Sequence, residues 1–212
     1  MNQQKSFEKH ETGTLFLVPT PIGNLQDMTP RAIDTLNAVA LIAAEDTRHT
    51  QQLLNHFDIE TKQTSFHEHN WQSKIPSLIA TLSQGGDVAQ VSDAGMPSIS
   101  DPGKELVAAA VENNIPVVPI PGATAGVTAL IASGLVPQPF YFYGFLQRKN
   151  SEQLSELKQL STVKELLGLL KVGGSMILSN SGRGGILEET GIVVVDNRSY
   201  SNAYITLYRR DS

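Results

Sequence analysis

Along most of the chain, short apolar runs closed by turn residues alternate with longer stretches whose apolar positions recur at helical spacing. Leu15–Val18 reads as a strand, ended by the punctuated turn Pro19–Asn24. Thr29 is placed to cap a helix with Pro30 at its first position, running towards Asn37. Residues 38–44 are apolar and bounded like a buried strand, and residues 45–57 then turn helical. A polar loop around residues 65–70 precedes a helix over residues 72–83. Val88–Val91 is the next strand, after which Asp101 and Pro102 supply a cap and first position for a helix reaching Asn113. Residues 117–120 form another apolar run, and residues 123–133 a helix of small residues stopped by Gly134.

Strands that alternate with helices predict an α/β fold with a mostly parallel, doubly wound sheet covered on both faces. This first domain is expected over residues 13–136, after a disordered tail at 1–12. Pro137–Pro139 read as a linker and Phe140–Phe145 as a strand opening a shortened α+β part over residues 140–212. There, residues 151–170 carry amphipathic spacing through Leu154, Leu157, Leu160, Val163, Leu166, Leu167 and Leu170. Residues 175–178, 191–195 and 203–208 read as strands.

Composition narrows the classes. Cysteine is absent from the 212 residues, so neither a disulfide framework nor a thiolate metal site is available, which fits a reducing cytoplasm. The polar start lacks an apolar signal core, and no apolar run approaches the ~20 residues that cross a bilayer. The expectation is a soluble, cytoplasmic protein without membrane attachment. The net charge of −5 is uneven: residues 1–139 carry 7 Lys and Arg against 14 Asp and Glu, and residues 140–212 carry 9 against 7. An acidic chain is a poor prior for nucleic-acid binding, and any such surface is expected in the second part.

Open α/β sheets bind ligands outside the carboxyl ends of their strands. Four loops fall there: Pro19–Asn24, Glu45–Arg48, Asp93–Ser100 and Pro121–Ala125. Their Gly, Pro and small residues let a ligand approach the backbone. None is a phosphate-binding GK[ST] loop or a GxGxxG turn, so the pocket suits a ligand read through backbone groups and a few carboxylates. Each loop also has a plain structural reading. Glu45 and Asp46 are acids favoured at a helix start, with Arg48 pairing to one of them. His67 and His69 form an HxH pair without a third ligand, and no metal is expected. Trp71, Tyr141 and Tyr143 are candidates for stacking on a base, with packing the default.

Six stretches occur in order: VPTPIGNLQDMTPRA, LIAAEDTRHTQQLLNHF, SFHEHN, QVSDAGMPSISDPGKELV, VVPIPGATAGVTALIASGLV and FYFYGFLQRKN. Together they resemble the small-subunit ribosomal RNA 2′-O-ribose methyltransferases, a branch of the tetrapyrrole-methylase superfamily. The match runs from Gly13 to Asn150; beyond it the chain departs from the family pattern, and LLKVGGSMIL with a terminal strand pair is similar to the end of a Rossmann-type methyltransferase. The resemblance implies S-adenosylmethionine as cofactor and a cytidine ribose of small ribosomal subunit RNA as substrate. It also implies two α/β domains and a homodimer. Carried over by position, the cofactor would meet Pro21, Ile22, Gly23, Asp93, Ala94, Gly95, Pro121, Gly122, Ala123, Thr124 and Ala125. Glu45, Asp46 and His67 would lie on the acceptor side as alternative proton acceptors, and Arg48, His69, Arg148 and Lys149 would contact the RNA. Two other functions fit parts of the chain: a porphyrin-precursor C-methyltransferase, and a catalytically impaired family member that only folds and dimerises.

Overall fold

The computed structural model describes residues 10–99, 103–135, 137–138, 140–146, 149, 151–152 and 155–156, together with the backbone of three later strands. The chain divides into two compact units, Met1–Ala123 and Thr124–Ser212.

In the first unit, strands β1 (Leu15–Leu17), β2 (Leu41–Ala44), β3 (Gln63–Ser65), β4 (Val88–Val91) and β5 (Val117–Pro119) form one sheet in the order β3-β2-β4-β1-β5. Every pairing in it is parallel. Helices α1 (Pro30–Ala38), α2 (Thr47–His56), α3 (Trp71–Ser83) and α4 (Lys104–Glu112) connect the strands in turn. The order makes the chain step one way across the sheet through β1, β2 and β3, and back through β4 and β5. Crossovers between parallel strands are right-handed, so the two directions put their helices on opposite faces.

The packing shows both faces. Phe16, Ile42, Ala44, Ala89, Val91 and Val118 join residues of α1 and α2 in one cluster. Leu15, Leu17, Ala43, Val88 and Val117 join residues of α3 and α4 in the other. Successive residues of each strand thus alternate between two covered faces, which is why these strands read as continuous apolar runs.

Local signals act as expected at several ends. The Thr29 hydroxyl accepts from Ala32 N–H with Pro30 at the first helical position. The short strand β3 lies at the sheet edge and meets the expected loop over residues 65–70 only at Ser65, so the sequence reading assigned it no element. Its sequence, QTS, has no apolar alternation to announce it. Residues 100–102 lie outside the described residues, so the cap expected from Asp101 does too; the described helix starts at Lys104.

In the second unit, α5 (Ala125–Ala132) ends before Gly134, whose φ of 75° turns the chain as expected. Strands β6 (Phe140–Phe145), β7 (Ser175–Asn180), β8 (Ile192–Tyr200) and β9 (Ala203–Arg210) form a sheet in the order β6-β7-β9-β8. The β6 and β7 strands are parallel and the other pairs antiparallel. The sequence grouped the α5 segment with the first domain; in the structure it lies alongside β7 and β9. The amphipathic segment expected over residues 151–170 falls mostly outside the described residues.

Candidate active site

The central strand of the five, β4, has β2 on one side and β1 on the other. Its following loop therefore emerges between the loops that follow those two strands, at a point where neighbouring connections leave for opposite faces. Three of the four sequence-predicted loops meet here, and the fourth reaches them from β5.

Thr20 and Gly95 form an antiparallel bridge, each N–H donating to the other's carbonyl at 3.0 Å. The buried Thr20 hydroxyl donates to the Ser92 carbonyl at 3.0 Å, locking the first loop to the third. Gly95 has a φ of 80°, and a Cβ there would stand 3.3 Å from Ile22 Cγ2 and 3.5 Å from the Ala123 carbonyl oxygen. A side chain at Gly122 would collide with the Pro19 ring. Both positions need glycine, one for its backbone angle and the other for close approach. Ile22 is buried, while Pro21 and Ala123 are half-buried and Gly23, Pro121 and Gly122 are exposed.

The carboxylates separate by role. Asp46 caps α2: its side chain accepts from Arg48 N–H at 2.8 Å, and both carboxylate oxygens accept from the Arg48 guanidinium, at 3.1 and 2.7 Å. Those hydrogen bonds to the Arg48 side chain and backbone hold the Asp46 carboxyl well below the usual carboxylate range. The helix-start reading of this acid and its pairing with Arg48 thus describe the local structure. Glu45 faces the third loop instead, its Oε2 accepting from Asp93 N–H at 3.3 Å. The Asp93 Oδ1 atom is buried without a hydrogen-bond partner among the described residues. It lies 3.6 Å from His49 Nδ1.

His67 and His69 follow β3, one strand further out. Their bonds run within the loop. His67 Nδ1 accepts from His69 N–H at 3.3 Å, and His67 Nε2 lies 3.1 Å from Asn70 Nδ2. Asn70 also accepts from His67 N–H at 2.9 Å and donates to Ser65 Oγ at 3.0 Å. Among the described residues, no group of three or more His, Cys, Asp or Glu is arranged to hold a metal ion, and no helix is long and apolar enough to cross a membrane.

Thr124 and Ala125 open α5 in the second unit. Lys149 is exposed there and pairs with Glu152 at 3.2 Å. Arg148 lies outside the described residues. Sequence reasoning missed His49, which sits in the first turns of α2 beside Asp46 and Arg48. Only the placement of β2 next to β4 brings it to Asp93.

Residues 14–190 match the family described as Tetrapyrrole (Corrin/Porphyrin) Methylases. The chain is 66% identical over 154 residues to "Ribosomal RNA small subunit methyltransferase I" of Streptococcus pyogenes serotype M18, covering 72% of this chain and 54% of that protein. It is 54% identical over 168 residues to the Bacillus subtilis protein of the same name, covering 79% and 58%. With the Synechocystis protein of that name it shares 58% identity over 149 residues, covering 70% and 53%. The chain spans about half the length of the curated relatives it matches. Among solved structures it resembles uroporphyrin-III-C-methyltransferase from Thermus thermophilus, with a TM-score of 0.52 and 19% identity, over 79% of this chain and 68% of that one. At that identity the likeness concerns the fold.

Proposed function

The chain belongs to the tetrapyrrole (corrin/porphyrin) methylase family, and from that premise we propose that it methylates the 2′-hydroxyl of a cytidine ribose in small-subunit ribosomal RNA with S-adenosylmethionine. The observation that carries this is the meeting of Thr20, Asp93 and Gly95 at the end of the central strand, in a chain 54–66% identical to proteins named as small-subunit rRNA methyltransferases. S-adenosylmethionine supplies a sulfonium-bound, electrophilic methyl carbon. The residues present fit such a group: Gly95 leaves room beside Ile22 and the Ala123 carbonyl, and Asp93 Oδ1 is a buried acceptor with no hydrogen bond among the described residues. Pro21, Ile22, Gly23, Asp93, Ala94, Gly95, Pro121, Gly122 and Ala123 are its proposed holders, with Thr124 and Ala125 of α5.

Glu45, Asp46 and His67 are proposed for the acceptor side, where a hydroxyl must lose its proton. Of these, Asp46 is the weakest base, because Arg48 stabilises its charged form. Arg48, His69, Arg148 and Lys149 are proposed to meet the RNA, whose phosphates attract cations. A cytoplasmic homodimer completes the proposal.

The competing reading is a folding module that does not bind cofactor. Titration calorimetry with S-adenosylmethionine separates the two. Binding at micromolar strength, on the order of −8 kcal/mol, followed by methyl incorporation into unmethylated small subunits, supports the enzyme. A folded sample that neither binds nor transfers supports the module.

A further inference from the structure

We propose that His49, oriented by Asp93, is the proton acceptor for the hydroxyl that is methylated; this rests on the methyltransferase function above. The geometry carries it. His49 Nδ1 stands 3.6 Å from Asp93 Oδ1, a buried oxygen with no hydrogen bond among the described residues. A carboxylate facing Nδ1 favours the tautomer with its proton on that nitrogen, which leaves the Nε2 lone pair free to accept. The His49 side chain is half-exposed.

The competing groups are committed elsewhere. Both ring nitrogens of His67 are engaged inside their own loop, and Asp46 is tied to Arg48. Glu45 is turned to the Asp93 backbone, where it accepts from the N–H and fixes the segment that bears the orienting carboxylate. Among the described residues, the charged group facing His49 is Asp93 from the loop after β4, with the joined pair Asp46–Arg48 at the start of its own helix.

In the step, the ribose oxygen forms its bond to the methyl carbon as the carbon–sulfur bond breaks with its electron pair passing to sulfur. The hydroxyl proton goes to His49 Nε2, and sulfur ends as a neutral thioether. The sulfonium charge is lost and an imidazolium is gained beside Asp93, so charge balances and the carboxylate stabilises the product state. The acceptor lies in the first turn of α2, which Asp46 caps.

The test is His49→Gln in the full chain, assayed with unmethylated small ribosomal subunits. The expected result is a fall in kcat of about 100-fold or more, with KM for both substrates changed by less than about threefold. The rise of kcat with pH given by the wild type should also disappear. Nitrogen-15 shifts of the imidazole provide a readout that needs no turnover: Nδ1–H in the wild type, released to a mixture of tautomers in Asp93→Asn. No transfer by the wild type overturns the methyltransferase function and this role with it. Transfer that survives His49→Gln with an unchanged pH profile, or an Nε2–H tautomer in the wild type, overturns the role of His49 alone.

Discussion

In the first unit the five parallel strands lie between two pairs of helices, and all four residues of β4 are buried. In the second, the edge strand β6 leaves Phe140, Tyr141, Phe142 and Phe145 between 37% and 44% exposed, and α5 leaves Ile131 72% exposed. Apolar residues of β4 and of β6 thus differ in how far they are covered. A residue's contribution to stability therefore follows its neighbours and not its hydrophobicity.

The sharpest check on this contrast is a pair of truncations. Leu78, fully buried between α3 and the sheet, should lose about 2–5 kcal/mol on Leu78→Ala. Phe142→Ala should stay within about 1 kcal/mol, because much of its ring already faces solvent. Urea unfolding of the two variants measures both, and equal losses would break the comparison. A smaller effect belongs to a local device of the first unit. Thr29→Ala removes the hydroxyl that accepts from Ala32 N–H and should cost about 1 kcal/mol, with Thr29→Ser restoring most of it.

The smallest effect lies in the second unit and depends on pH. The Tyr143 hydroxyl donates to Glu156 Oε1 at 2.7 Å, and this bond, with some burial, pushes the phenol up to about 12. Because the folded value lies above the ordinary value of about 10, the contact stabilises fully below pH ~10 and is lost as pH rises towards ~12. Tyrosinate absorbance should show one phenol titrating late, absent in Tyr143→Phe. A wild type whose tyrosines all ionise together would show that the bond does not persist.

The same contrast explains what could be read in the chain. Leu41–Ala44 and Val88–Val91 were legible because parallel strands buried on both sides leave unbroken apolar runs. Thr29-Pro30 was legible because capping is settled within one turn. Gln63–Ser65 was hidden: three polar residues at a sheet edge are recognised only through their neighbour β2. The loops themselves were readable from their position after strands, and spacing offered Arg48 a pairing with either Glu45 or Asp46, which the structure resolves to Asp46. The His49–Asp93 pair was not, since it joins residues far apart in sequence through strand order, which no local pattern encodes.

That strand order also sets a schedule. β1 and β2 do not bond to one another; β4 lies between them and pairs with both. A growing chain that has released β1, α1, β2, α2 and β3 holds a β2–β3 pair and an orphan first strand, because the closing element is not yet made. Such distant pairing defers the reward for ordering the early segments and slows folding. When Val88–Val91 slots into the gap, it joins β1 to the β2–β3 pair and in the same stroke brings Asp93 between the loops on either side, leaving β5 to add at the β1 edge.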